Sequence, residues 1–420
     1  MKVYLVGGAV RDFLLKLPVH DKDWVIVGGK SEELLSKKYK QVGKDFPVFL
    51  HPKTFEEYAL ARTEKKNGVG YTGFLTNYSK NITLKQDLKR RDLTINAIAQ
   101  DSKGKYIDPF NGIKDLKNRL LKHVSNAFEE DPLRVLRVAR FSAKLSNLGF
   151  VIYKKTLKVM KRIVDKKEIL NLTSHRIWNE TKKSLDTKFP HVYILELNNC
   201  FAFSTLFPEI YYLYKLNLKN IFFNFTSINT DLIFRLAKFS QKNVNFDTRF
   251  IFLCQFLVSF LDFNLDIRKK SFRLNFYSFL INKMFIRLNI PTKIKNITIM
   301  IIKYYYIFHN IFSYSSEKII FIFNKINIWR NPNILNEISS LVNFCPYYNN
   351  FCLCKKKNFK PSEILKILFF ILQSISVKFI LKKGLKGVFI KKKLINLRIK
   401  LLDFYRLKTL SIEYKKNKNF

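Results

Sequence analysis

Residues 1–149 alternate short apolar runs with turn-forming residues, whereas the remainder carries long apolar and basic stretches with few breaks. Val3–Val6 reads as a buried strand, Gly7-Gly8 as a tight turn, Ala9–Leu17 as a helix stopped before Pro18, and Trp24–Val27 as a second strand. Phe55–Ala61 and Lys105–Asp108 read as further strands, and Asp92–Ala99 and Pro132–Leu145 as helices. Eleven of the 13 glycines lie at or before Gly149, the others being Gly384 and Gly387. A glycine-free run over 150–383, rich in Leu, Ile, Phe and Lys, predicts a long helical region behind a mixed head. The fold class expected is α+β, a small mixed-sheet head followed by helices. Breaks are expected near Phe189-Pro190, Phe207-Pro208, Pro291, Asn331-Pro332 and Pro361.

Charge changes this picture. The 420 residues suffice for two or more domains, and their net charge is +44. Residues 1–140 hold +10 of it and residues 141–420 hold +34, so the acids concentrate in the head. A long basic surface is what a protein following a phosphodiester backbone carries. Lys, Asn, Ile, Phe and Tyr are also the residues AT-rich codons encode, so charge supports nucleic-acid binding without establishing it. The cysteines at 200, 254, 345, 352 and 354 form no C-x-x-C pair and read as free thiols of a reducing compartment. No basic-then-apolar leader precedes the first strand, and the runs Phe250–Leu261 and Ile367–Leu372 are too short to span a bilayer. A cytoplasmic protein with no membrane partner is expected.

Candidate chemistry sits in three segments. In Asp21-Lys22-Asp23, ahead of the second strand, side-chain alternation puts both carboxylates on one face, where they repel unless a cation lies between them. That arrangement suits two Mg²⁺ ions. Gly7 and Gly8 lack a Cβ and let a triphosphate approach backbone N–H groups, with Arg11 one turn further on. In Arg90-Arg91-Asp92-Leu93-Thr94-Ile95-Asn96-Ala97, Asp92 and Asn96 share a helix face, and such a pair can hydrogen-bond a ribose hydroxyl while guanidinium groups neutralise phosphate. The alternative is a capping acid with solvated arginines. In Glu129–Phe141, Pro132 suits a first helical position, and Arg134, Arg137 and Arg140 form a basic stripe. Asp131 and Arg134 together could read the edge of a base. The alternative there is an amphipathic helix with a capping acid.

The order and spacing of G-G-A-V-R-D…D-K-D, R-R-D-L-T-I-N-A and E-D-P-L-R-V-L-R-V-A-R-F resemble the bacterial class II tRNA nucleotidyltransferases, the CCA-adding enzymes of the polymerase-beta-like superfamily. The resemblance extends through Asp108-Pro109-Phe110-Asn111-Gly112, Ser174-His175-Arg176-Ile177 and Leu206-Phe207-Pro208-Glu209-Ile210, and is patchy after about residue 215. It implies a catalytic head over 1–140, a helical neck over 141–205, a body over 206–330 and a tRNA-binding tail over 331–420. It implies that Asp21 and Asp23 bind Mg²⁺, that Gly8 and Arg11 contact the triphosphate, and that Arg91, Arg137 and Arg140 bind the nucleotide. Asp92 and Asn96 fall in its ribose-recognition motif, Asp131 and Arg134 act as the amino-acid template for CTP or ATP, and Glu57 takes the place of a third carboxylate. The partners implied are tRNA, CTP and ATP, with a monomer and a homodimer both open.

Within the resemblance, a poly(A) polymerase and a partial enzyme adding only CC or only A are alternatives, and an inactive basic RNA-binding protein is a distant one. Thr63–Lys80, with Gly68, Gly70 and Gly73, has the length of the loop complete CCA-adding enzymes use to switch from C to A. Many relatives carry an HD phosphohydrolase in the body. Here Phe250–Phe260 reads F-I-F-L-C-Q-F-L-V-S-F, and His309 is the only histidine beyond 191, so that activity is expected to be absent.

Overall fold

The computed structural model describes the chain apart from residues 44–46, 67, 69–73, 213–227, 243, 256–266, 310, 344–359, 376, 378–380, 382–386 and 418–420. The chain divides into two compact units, Met1–Tyr211 with Asn229–Gln241 and Tyr212–Ile228 with Lys242–Phe420.

The strands of the first unit are β1 (Lys2–Val6), β2 (Asp23–Val27), β3 (Lys40–Val42), β4 (Val48–Leu50), β5 (Glu57–Leu60), β6 (Thr63–Lys66), β7 (Phe74–Asn77), β8 (Ala99–Gln100), β9 (Tyr106–Ile107), β10 (Leu120–Leu121) and β11 (Val151–Ile152). Seven of them form one sheet in the order β3-β4-β5-β2-β1-β8-β9, and β6–β7 and β10–β11 form separate pairs. β2 runs parallel to β5 and antiparallel to β1, so the sheet is mixed. The pleat sends neighbouring residues to opposite faces, and both faces are covered. Val6, Val25, Leu88 and Ala99 belong to one buried cluster, and Ile26, Leu34, Phe49 and Leu60 to another. Register then fixes the functional edge. Asp23 lies opposite Val6 on β1 and opposite Glu57 on β5, which sets it beside the turn that leaves β1.

The helices of this unit are α1 (Gly8–Leu14), α2 (Ser31–Ser36), α3 (Leu84–Lys89), α4 (Gly112–Lys117), α5 (Leu133–Leu145), α6 (Lys154–Asp165), α7 (Ser174–Leu185), α8 (Pro190–Asn199), α9 (Ala202–Leu206) and α10 (Ile228–Ser240). α1 stops short of Leu17 because Lys16 turns left-handed, with φ 56. α3 opens on a capping box in which the Gln86 N–H donates to Thr83 Oγ1 and the Thr83 N–H to Gln86 Oε1. Pro132 stands one position before the first residue of α5, as its N-cap, rather than at the first helical position.

The helix expected over Asp92–Ala99 is absent. Thr94–Asn96 form one 3₁₀ turn and the chain enters β8 at Ala99. Residues 92–99 are all buried, so no polar face exists for an amphipathic helix to turn to water. The backbone bonds outward instead, the Thr94 N–H donating to Lys122 O at 2.8 Å and the Val124 N–H to Asp92 O at 3.3 Å. α4 begins against this turn, and a Cβ on Gly112 would stand 2.2 Å from the Thr94 carbonyl oxygen, so only glycine fits.

The described residues of the second unit are helical: Phe246–Gln255, Ile267–Arg287, Thr292–His309, Ser316–Lys325, Asn333–Val342, Pro361–Gln373 and Val388–Asn417. Pro291, Pro332 and Pro361 mark helix starts, as their fixed φ and missing N–H require. Phe250, Phe285, Ile301, Phe308, Phe323 and Leu368 are among its buried core. Among the described residues, no helix is long and apolar enough to cross a membrane.

Candidate active site

The turn after β1 opens the site. Gly7 has φ 74, which a Cβ would strain, and such a Cβ would also press on Arg91 Nη1 at 3.0 Å. Gly8, Asp21 and Asp23 line one cavity of about 770 Å³ together with Arg11, Arg91, Asp92, Asn96, Asp131, Arg134, Arg137 and Arg140. Each of these comes from one of the three sequence segments. Glu57 does not line the cavity.

Asp21 and Asp23 are close enough to feel one another. Burial, opposed by Arg91 and reinforced by Asp21, holds the Asp23 carboxyl above the ordinary carboxylate range. Burial, then Asp23 and Asp21, push Glu57 up as well. This is negative charge in need of a cation. Among the described residues, no cluster of three or more His, Cys, Asp or Glu is placed to hold a metal. The protein donors available are therefore a pair of hard carboxylates beside an open cavity, a set that fits Mg²⁺, which binds through one or two carboxylates and completes its shell with substrate phosphate and water.

A continuous hydrogen-bonded chain crosses the floor. Arg11 Nη1 donates to Asn96 Oδ1 at 2.7 Å, Asn96 Nδ2 to Asp92 Oδ1 at 3.0 Å, and Arg137 Nε to Asp92 Oδ2 at 2.8 Å. Asp92 and Asn96 thus meet as expected, although a 3₁₀ turn and not an α-helix brings them together. Burial disfavours the Asp92 anion, but Arg137 and the bonds from Asn96, Arg137 and the Leu93 N–H outweigh it and hold the carboxyl far below its usual range. Arg11 Nε donates to Asp12 Oδ1 at 2.8 Å, and Lys144 Nζ reaches Asp12 Oδ2 at 3.1 Å. Arg140 donates to Glu180 at 2.6 Å, and the Arg11 and Arg140 guanidinium groups stack on Phe141 at 5.0 and 4.4 Å.

A second network frames the side nearer β6. The buried Asp87 carboxylate accepts from Arg90 at 2.7 Å and from Arg91 at 3.3 Å, and Arg90 reaches Glu64 at 2.9 Å. Arg91 lines the cavity, and its Nε is buried with no hydrogen-bond partner among the described residues. Arg134 donates to the Ala127 carbonyl and, at 2.6 Å, to the Arg90 carbonyl, which leaves further N–H groups on its five-donor fork. From the position before the Pro132 cap, Asp131 accepts the Leu133 N–H at 3.0 Å and so satisfies the first N–H of α5, while its other oxygen accepts from Arg176 at 2.9 Å. The capping reading and the base-reading role are therefore compatible.

The structure adds Arg62, Glu64, Lys144, Arg176 and Lys183 to the lining, with Asp87 and Glu180 behind it. Arg176 and Glu180 stand one turn apart on α7, and Asp87 lies three and four residues before the paired arginines, spacings a helix reading could have used. Glu64 carried no helix-spacing signal, since it bonds Arg62 two residues away along an extended segment and Arg90 26 residues away.

Residues 3–122 match the model of the Poly A polymerase head domain, and residues 149–213 that of the probable RNA and SrmB-binding site of polymerase A. A CCA-adding enzyme of Buchnera aphidicola subsp. Acyrthosiphon pisum (strain Tuc7) is 49% identical over 98% of this chain and 99% of its own length. One of Actinobacillus succinogenes (strain ATCC 55618 / DSM 22257 / CCUG 43843 / 130Z) is 43% identical over 96% and 98%. Among solved structures, a Thermotoga maritima CCA-adding enzyme complexed with tRNA superimposes with a TM-score of 0.60 over 96% of this chain and 87% of its own, at 22% identity, a likeness of fold. By its identity to full-length relatives, the chain belongs to the family of CCA-adding enzymes, the tRNA nucleotidyltransferases.

Proposed function

We propose that the cavity of the first unit adds C, C and A to the 3′ end of tRNA without a nucleic-acid template, using CTP and ATP and releasing pyrophosphate. The observation that carries this reading is the Asp21–Asp23 pair at the edge of a cavity lined by arginines from five separate segments. Mg²⁺ bound to that pair would supply Lewis-acid stabilisation of phosphate charge and a lowered pKa for an attacking hydroxyl. Arg11, on the ordered chain through Asn96 and Asp92, is pre-positioned for triphosphate oxygens, and the Arg91 guanidinium lines the same cavity. Asp92 and Asn96 border the place of the ribose. Asp131 and Arg134, clamped by Arg176 and by two carbonyl groups, present acceptor and donor to the base edge with little freedom to reorient. The terminal 3′-hydroxyl then attacks the α-phosphorus in line, the Pα–O–Pβ bond breaks, and the hydroxyl proton is lost.

The basic residues beyond 140 would hold the tRNA, with neck, body and tail divided as the resemblance implies, in a cytoplasmic enzyme. Incubating the protein with a tRNA transcript lacking CCA, Mg²⁺, CTP and ATP, one nucleotide labelled, should give a stepwise extension by three nucleotides on a sequencing gel. Runs of A would turn the assignment to a poly(A) polymerase, a stop after CC to a partial enzyme, and no extension would remove the reading.

The body of this chain is part of the same proposal, as a scaffold without phosphohydrolase activity. Within the stretch where an HD motif would fall, Gln255 is buried and its Nε2 donates to Leu341 O at 3.2 Å, a helix-to-helix tie in place of a metal ligand. Residues 256–260 of that stretch lie outside the described residues. With Ni²⁺, Mn²⁺ or Mg²⁺ the protein should leave 2′,3′-cyclic AMP and p-nitrophenyl phosphate intact. Metal-dependent hydrolysis abolished by His309→Ala would overturn this part.

A further inference from the structure

Phe201 stands directly after the C-terminal cap of α8 with φ 64 and ψ 8, a left-handed conformation that glycine adopts freely and a Cβ-bearing residue resists. Burial does not repay that strain, for the residue is 58% exposed. The ammonium of Lys161 lies 5.1 Å from the ring centroid. Lys154, Lys158 and Lys161 recur at i, i+4 and i+7 along α6, a basic stripe leading to the ring. The 3₁₀ turn Glu168–Asn171 packs against α9 and carries the exposed Leu170. All of this lies within the stretch that matches the RNA-binding model.

We infer that Phe201 is a stacking platform for an unpaired nucleobase of the tRNA, with Lys154, Lys158 and Lys161 taking the adjoining phosphates. The inference rests on the reading that this chain acts on tRNA. One flat ring at the end of a row of cations matches the alternation of base face and anionic phosphate in a single strand. It does not match the wide apolar patch that a protein partner requires. The strained backbone aims the ring outward, where a glycine at the same place would leave the stripe without a platform.

The test compares wild type with Phe201→Gly, Phe201→Leu and Phe201→Tyr, using tRNA lacking CCA. Glycine relieves the strain, so the melting temperature should hold or rise, while KM for tRNA increases roughly tenfold, the size expected for one lost stack. KM for CTP and the turnover at saturating tRNA should stay within twofold. Leucine keeps bulk and strain but not the flat ring and should raise KM for tRNA as glycine does, whereas tyrosine should retain wild-type KM. A KM for tRNA unchanged in Phe201→Gly, or restored by leucine, would overturn the platform. Equilibrium binding of the same tRNA is measured for every variant, so a wild type that binds without extending would refute the activity and still decide the stack.

Discussion

The two units solve burial in opposite ways. In the first, Asp87, Asp92, Arg11 and Arg134 are all at least nine-tenths buried, and each is answered by a specific partner. In the second, Phe250, Phe252, Phe285, Phe308 and Phe323 fill the core, and the described ion pairs Lys293–Glu337 and Lys360–Glu363 hold exposed lysines at the surface. A buried charge stripped of its partner costs several kcal/mol, whereas an apolar core accepts changes that keep volume and pattern. Chemistry therefore constrains individual residues in the head, whereas in the helical unit packing constrains chiefly residue class, with Arg249, Gln255 and Arg398 as buried polar exceptions.

The largest expected effect is at the carboxylate pair. Asp21→Ala or Asp23→Ala should lower the rate of nucleotide addition by on the order of 10³-fold or more, the several kcal/mol a bound metal contributes, with tRNA affinity within twofold of wild type. Single-turnover extension and filter binding measure the two separately. Asp23 also predicts a sign. Its folded pKa is raised, so its anion destabilises the metal-free protein increasingly as pH rises through that value. Asp23→Asn should remove this loss and raise the melting temperature at pH 8 without metal, and a lower one would contradict the account of Asp23.

Next in size is the Asp92–Arg137 pair. Asp92→Ala leaves Arg137 and Asn96 without their acceptor and should cost about 3–5 kcal/mol in urea unfolding. Lys293→Ala, which removes a surface pair of the second unit, should cost about 0–1 kcal/mol. Equal losses would break the comparison between the units. Because the folded pKa of Asp92 is depressed, its stabilisation is complete above the unfolded value of about 4 and fades as pH falls below it. The alanine variant should therefore show a shallower acid limb.

A smaller effect is expected at the base. Asp131→Ala or Arg134→Ala should cost about 1–3 kcal/mol of discrimination, read as misincorporation of UTP or GTP, rather than abolish addition. Arg176→Lys should move selectivity the same way but less, since it loosens Asp131 without removing it.

Local chemistry was legible before the fold was. Asp21, Asp23, Arg91 and Asp131 belong to short strings whose order carries the resemblance, and all line the one cavity. The 3₁₀ turn at Thr94–Asn96 was not legible. Apolar residues spaced as on a helix read alike whether one face or every side is buried, and here the contacts that decide it come from Lys122 and His123. The Glu64–Arg90 tie is closed by tertiary structure, with no local trace. The expected switching loop falls on β6 and β7, but residues 67 and 69–73 lie outside the described residues. In the helical unit prolines located the helix starts, while the pairing of faces depends on interdigitation that a nearly uniform mix of Ile, Phe and Lys does not encode by position.

The sharpest comparison uses two substitutions that hardly change volume. Ile301→Leu alters a fully buried side chain on Thr292–His309, and because only shape changes it should cost less than about 1.5 kcal/mol, with kcat and both KM values unchanged. Asp92→Asn preserves the outline of its side chain as closely, yet it deletes the charge opposing Arg137 and turns one acceptor into a donor facing the guanidinium. Its cost should exceed that of Ile301→Leu, and the excess should appear in KM for CTP as well as in stability, since the Arg11–Asn96–Asp92–Arg137 chain loses its polarity. Were Ile301→Leu to disturb nucleotide addition as much, the helical unit would share in the chemistry, and the division drawn between pattern and identity would not hold.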